Sequence, residues 1–167
     1  MSTMPQSSKA RAFWPVALTV LLADCTTKAV AIHELTPAHV PHPVLGDFLR
    51  FTLTYNKAAA MNLSLGPLSR PILAVVSCLA LVGLLEWYRR TAPEATLRLV
   101  ALGLIWAGAA GNLWDRVRGP RGVVDFIDLG VGASRFWIFN VGDMGITLGA
   151  ILLAWSLSRD EAGRNPG

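Results

Sequence analysis

The chain has 167 residues, 53% hydrophobic and 16% charged, with mean hydropathy +0.45. Soluble domains carry about 25% charged residues, so a soluble globular domain is excluded and long apolar runs are expected. The net charge of +4 does not indicate a nucleic-acid binder, because the basic residues are scattered and sit between apolar runs, where lipid headgroups lie.

Lys9 and Arg11 precede the first apolar run, expected to span 12–32. About 20 apolar residues suffice to cross a bilayer. Asp24 and Lys28 lie four apart inside it, on one helical face, and can pair. Leu22-Ala23-Asp24-Cys25 looks like a lipobox at the end of a signal peptide. An acid before the Cys and the continuing run Ala29-Val30-Ala31-Ile32 favour a retained helix instead.

The connection 34–69 starts with Pro37, Pro41 and Pro43, which break a helix. Phe48, Leu49, Phe51, Leu53 and Tyr55 then alternate with polar residues, which predicts strand. Gly66-Pro67 marks a turn before the second span, 71–88, which ends at Arg89-Arg90. The third span, 95–113, holds Gly103, Gly108 and Gly111, small residues that let membrane helices approach closely. A Gly- and Arg-rich connection, 114–137, leads to the fourth span, 138–157.

The reading is an all-α integral membrane protein forming one domain over 1–167. It has four transmembrane helices and a small extramembrane β-rich cradle in the first outer loop. Charge counting leaves the orientation open. Lys9, Arg11, Arg89, Arg90, Arg98, Arg159 and Arg164 on the terminal side balance Arg50, Lys57, Arg70, Arg116, Arg118, Arg121 and Arg135 on the other. Cys25 and Cys78 read as small buried hydrophobes in separate spans, and His33, His39 and His42 lack an i, i+4 pair, so no metal or other cofactor is expected.

The topology gathers the unusual polar residues at one end. Asp125 and Asp128 lie in the last connection, and Asn140 and Asp143 share a face at the start of the fourth span. Asn56, Asn112, Asp115 and Arg116 join them. Two carboxylates at a membrane edge cannot both ionise cheaply. They suit a dyad that shares one proton, activates water and donates to a carbonyl oxygen. Asn112, Arg116 and Asn140 are placed to orient the dyad or a substrate carbonyl. The alternative is structural pairing. Asp115 has Arg116, Arg118 and Arg121 near it in sequence, Asp128 is read as a salt bridge or helix-end group, and Arg135 is a candidate to neutralise Asp125 or Asp143.

Five blocks now stand in order: Asp24-Cys25-Thr26-Thr27-Lys28, Asn56-Lys57-Ala58-Ala59-Ala60, Gly108 to Arg116, Val124-Asp125-Phe126-Ile127-Asp128 and Phe139-Asn140-Val141-Gly142-Asp143. With them the chain resembles the lipoprotein signal peptidases (signal peptidase II). The resemblance implies a catalytic dyad of Asp125 and Asp143, within a polar network of Asp24, Asn56, Asn112, Arg116 and Asn140. It implies an aspartyl endopeptidase that cuts diacylglyceryl-modified prolipoproteins just before the modified Cys. It also implies a monomer in the bacterial inner membrane, in contact with lipid, with cytoplasmic termini and the site near the outer face. A catalytically altered relative, or a non-enzymatic protein that binds lipoprotein precursors, is the competing reading. The chain departs from the family's pattern at Cys25, Ala58, Met61, Ala107 and Gly142, where Gln, Gly, an aromatic, Gly and Ala are usual.

Overall fold

A computed structural model describes residues 5–57 and 68–164. Ala58 and Met61, two of the departures, and the Gly66-Pro67 turn lie outside the described residues. Four long helices and a four-stranded antiparallel sheet follow one another as α1 (Pro5–Glu34), β1 (Pro41–Leu45), β2 (Leu49–Asn56), α2 (Ser69–Arg90), α3 (Thr96–Arg118), β3 (Val123–Val131), β4 (Ser134–Arg135) and α4 (Val141–Arg164). Each helix contains a segment long and apolar enough to cross a membrane: Ser8–Glu34, Ser69–Arg90, Thr96–Arg118 and Val141–Asp160. The expected fold class is the observed one.

The third helix is the spine. It packs against α1, α2 and α4, and half of its most apolar window is buried. Its glycines make this possible. A Cβ at Gly108 would stand 2.1 Å from the Gly142 carbonyl oxygen, so α3 and α4 touch backbone to backbone there. A Cβ at Gly103 would meet the Phe13 carbonyl at 3.0 Å on the α1 side. The second helix behaves differently. Val75, Val76, Leu79 and Val82 are exposed, as expected of a helix that shows most of its circumference to lipid.

Two apolar clusters hold the ends. Phe13, Ala17, Leu102 and Ala107 close the end near the termini, and the rings of Trp14, Tyr88 and Trp106 stack around Phe13. At the other end Ala31 and Leu35 of α1 pack under Leu53, Val124 and Phe126 of the sheet. Burying a side chain such as Leu53 or Phe126 contributes about 1.5–3 kcal/mol, which fastens the sheet to the helix.

The sheet is larger than the sequence suggested. Its order is β1-β2-β3-β4, so half its strands come from the Gly- and Arg-rich second connection, whereas the sequence places the β-rich cradle in the first outer loop. The reason is physical. The first residues of β3 are buried on both faces, so Val123 to Phe126 lacks the apolar–polar alternation of a half-exposed strand. Asp125 therefore sits on a strand opposite Thr54, not in a loop. The β2–β3 pairing reaches Asn56 opposite Val123. Gly122 makes room for that end of the ladder: its φ is +97°, and a Cβ would lie 2.3 Å from the Asn56 carbonyl oxygen.

Candidate active site

The polar residues meet where α3, β3 and the start of α4 converge. Asn140 caps α4. Its Oδ1 accepts the Asp143 N–H at 2.9 Å, and the Asp143 carboxylate accepts the Asn140 N–H at 3.2 Å, a reciprocal capping box. This local device, four residues long, fixes Asp143 on the first turn of the helix, where the positive end of the helix dipole favours an anion.

Asn140 has a further partner. Its Nδ2 donates to Asp125 Oδ1 at 2.6 Å. One asparagine thus touches both acids, Asp143 through its backbone and its carbonyl oxygen, Asp125 through its amide nitrogen. The same Nδ2 is 3.2 Å from Asn112 Oδ1. Asn112 in turn donates through Nδ2 to Asp143 Oδ1 at 2.8 Å. Asn56 donates to Asp125 from the end of β2. Arg116 binds the Asn112 carbonyl at 3.1 Å, and its guanidinium lies within electrostatic reach of Asp143, Asp125 and Asp115.

Asp125 is only 2% exposed. Burial first, and the nearby Asp143 charge second, push its pKa up from 3.8 to about 7, while the bonds from Asn140 and Asn56 pull the other way. A carboxyl in that range can hold a proton at neutral pH and still release it.

Asp24 stands one step back from this group, fully buried in α1. Its Oδ1 accepts the Gly142 N–H at 2.7 Å, one of the unpaired donors in the first turn of α4. Its Oδ2 pairs with Lys28 at 2.7 Å, as the i, i+4 spacing allowed. Gly111 and Gly142 leave space for this carboxylate. A Cβ at Gly111 would sit 2.1 Å from Asp24 Oδ2, and one at Gly142 3.1 Å from Asp24 Oδ1. The usual alanine at position 142 would therefore need its neighbours to shift by a few tenths of an ångström.

Sequence reasoning missed the reach of Lys28. Besides Asp24, its ammonium binds Asn112 Oδ1 at 2.8 Å and Asp115 Oδ2 at 3.0 Å. Asp115 is thus held by Lys28 and by the Val124 N–H, not by Arg116, Arg118 or Arg121. Arg135 also differs from expectation. It pairs with Asp128 at 2.8 Å and with Asp47, and Asp128 is further bound by Thr52, so Arg135 is spent on the sheet rather than on either acid of the dyad.

A groove of about 370 Å³ runs from Asp143 down α4 between Phe136, Phe139, Met144, Leu148 and Ile151. Its walls are apolar apart from Asp143 and Thr147. Among the described residues, no three His, Cys, Asp or Glu side chains converge in a way that would hold a metal ion.

The family model for signal peptidase (SPase) II, peptidase family A8, matches residues 16–159. The lipoprotein signal peptidase of Teredinibacter turnerae is 37% identical over 145 residues, covering 86% of this chain and 84% of the relative. That of Moorella thermoacetica is 36% identical and covers 92% and 99%. That of Mycobacterium avium is 38% identical and covers 91% and 83%. A solved bacterial membrane enzyme superimposes with a TM-score of 0.80 at 29% identity, covering 91% of this chain and 90% of the other. A second gives 0.74 at 30% identity, covering 85% and 89%.

Proposed function

The chain belongs to the signal peptidase II family, and from that membership we propose that Asp125 and Asp143 form its catalytic dyad in an aspartyl endopeptidase. It is a multi-pass membrane protease that removes signal peptides from prolipoproteins. The finer reading is cleavage just before the diacylglyceryl-modified Cys, by a monomer in the bacterial inner membrane. Its termini face the cytoplasm and the dyad lies near the outer surface.

The observation that carries the aspartyl mechanism is the position of Asn140 between the two acids. Asp125, buried and with its pKa near 7, holds the shared proton, which leaves Asp143 as the carboxylate. Asp143 takes a proton from water, and the resulting hydroxide adds to the scissile carbonyl carbon. Asp125 gives its proton to the carbonyl oxygen. A tetrahedral gem-diol forms with no charge left unpaired. Its collapse breaks the C–N bond: Asp143 protonates the leaving nitrogen, and Asp125 recovers a proton from one hydroxyl. Arg116 and the Asn112 amide offset negative charge as the proton moves.

The groove along α4 suits a substrate delivered from the bilayer. It is apolar along most of its length and ends at Asp143, so lipid chains or a signal helix lying in it would bring the scissile bond to the dyad. The chain's own side chains supply the reaction as written.

The specificity claim is tested with purified protein in detergent. It is given a diacylglyceryl-modified prolipoprotein and the same precursor without the lipid, and the products are read by mass spectrometry. The mature fragment is expected to begin at the modified Cys, and only from the lipidated precursor. Equal cleavage of both precursors, or a cut elsewhere, would overturn the substrate assignment.

A further inference from the structure

A second cavity, of about 510 Å³, opens between the ends of α1 and α3. It is separate from the dyad. Val124 lines it, and successive residues of a strand face opposite ways, so Asp125 points to the other side of β3. It is also separate from the groove on α4, with which it shares no residue. We propose that this cavity binds the phosphodiester headgroup of an anionic phospholipid.

Its position fits a headgroup. The lining on α1 runs from Cys25 to Ile32, about 10 Å along the last turns of a membrane-spanning helix. Apart from Lys28, the residues of that stretch that line the cavity, Cys25, Ala29 and Ile32, are apolar. Trp114, on the same rim near the end of α3, is 54% exposed, as aromatic residues are at the membrane–water boundary.

Its charge fits an anion. Lys28, Arg118 and Arg121 line the cavity with a single carboxylate, Asp115. Lys28 and Asp115 are 3.0 Å apart and offset each other. The two arginines remain. The Arg121 guanidinium lies 4.5 Å over the Tyr55 ring and donates to Tyr55 Oη at 2.9 Å, which holds it in place without neutralising it. Arg118 is exposed and makes no ion pair or hydrogen bond with any described residue. Two guanidiniums, one stacked on Tyr55 and one without an ion pair among the described residues, match the oxygens of a phosphodiester.

The net charge of the headgroup follows. A zwitterionic headgroup would bring its own cation beside two arginines, whereas phosphatidylglycerol brings only the phosphate charge. The occupant is a lipid and not free phosphate, because Cys25, Ala29 and Ile32 carry the cavity wall along a helix long and apolar enough to cross a membrane. A volume of this size is ordinary for a small-molecule site.

The test uses the full chain in non-ionic detergent, with Cys78→Ala so that Cys25 is the one thiol left. Maleimide labelling of Cys25, on the cavity wall, is followed while short-chain phosphatidylglycerol, short-chain phosphatidylcholine or inorganic phosphate is added. Phosphatidylglycerol is expected to protect Cys25 at lower concentrations than phosphatidylcholine, and inorganic phosphate not to protect it. At about 1 kcal/mol per arginine, Arg118→Gln should weaken protection about fivefold, and Arg118→Gln with Arg121→Gln about thirtyfold. Arg118 has no hydrogen-bond or ion-pair partner among the described residues to lose, so its variant is expected to fold, with peptidase activity in detergent alone unchanged. Equal protection by both lipids, protection by phosphate alone, or protection that survives loss of both arginines would each overturn the proposal.

Discussion

Lys28 on α1 donates to Asn112 Oδ1 on α3 at 2.8 Å, and this bond decides which way the Asn112 amide faces. With its oxygen held by the ammonium, Asn112 must turn its nitrogen to Asp143. The pair links the buried Asp24–Lys28 ion pair of the first helix to the acid at the start of the fourth.

Lys28→Met removes that link, strands Asp24 as a buried carboxylate without its cation, and takes from Asp115 its ion pair. Breaking a buried pair from one side costs about 3–5 kcal/mol. Denaturant unfolding in micelles should show a loss of that order, and Asp24→Asn added to Lys28→Met should restore part of it. A Lys28→Met protein as stable as the parent would mean that the network is not buried as described.

The pKa of Asp125 sets a pH limit. Raised to about 7 by burial and by Asp143, it keeps the shared proton below that pH and loses it above. The rate constant kcat/KM should therefore fall on the alkaline side of about pH 7, as an apparent value belonging to the dyad as a pair. Stability has the same sign. The folded state binds this proton more tightly than the unfolded chain, so the contribution is full below about pH 3.8 and is lost as pH rises through about 7. The Asn140 bond favours the anion, so Asn140→Ala should move the alkaline limb upward even as it lowers the rate. A limb that moves downward would contradict the assignment of Asn140.

Glycine substitutions separate packing from chemistry. Gly108→Ala places a Cβ 2.1 Å from the Gly142 carbonyl oxygen and must push α4, and with it Asp143, away from α3. Overpacking of this kind costs about 1–3 kcal/mol, and activity should fall with it. Gly83→Ala meets nothing within 4 Å and should be neutral or slightly stabilising. Thermal unfolding and turnover of the two variants side by side check this. Equal behaviour would count against the close α3–α4 contact.

Arg135 belongs to the sheet. Its bonds go to Asp128 and Asp47, so Arg135→Gln should loosen the β3–β4 end and raise protease sensitivity there. The alkaline limb of the activity profile should stay where it is. A shifted limb would mean that Arg135 reaches the dyad after all.

The acids of the candidate site were legible because a carboxylate at the edge of an apolar run has no cheap structural reason to be there. Asn140 and Asp143 were legible as a unit because helical spacing puts residues three apart on one face. The Asp24–Lys28 pair was legible for the same reason. Contacts between helices were not. Nothing in sequence spacing says that Lys28 reaches Asn112 and Asp115, since that depends on how closely Gly103 and Gly111 let α1 approach α3. The neighbouring arginines looked like natural partners for Asp115, but Arg118 and Arg121 line the cavity beside it without pairing with it, and Arg116 reaches toward the dyad. β3 was hidden because burial on both faces erases the alternation that marks a strand.

The central claim is that Asp125 and Asp143 together cut the peptide. The most direct measurement is signal-peptide release from a diacylglyceryl-modified prolipoprotein by purified Asp125→Asn and Asp143→Asn proteins, each first shown by circular dichroism and thermal unfolding to keep its helical fold. Loss of either proton-transfer group is expected to lower the rate by at least about 10²–10⁴-fold. Release at the parent rate by either folded variant would contradict the account.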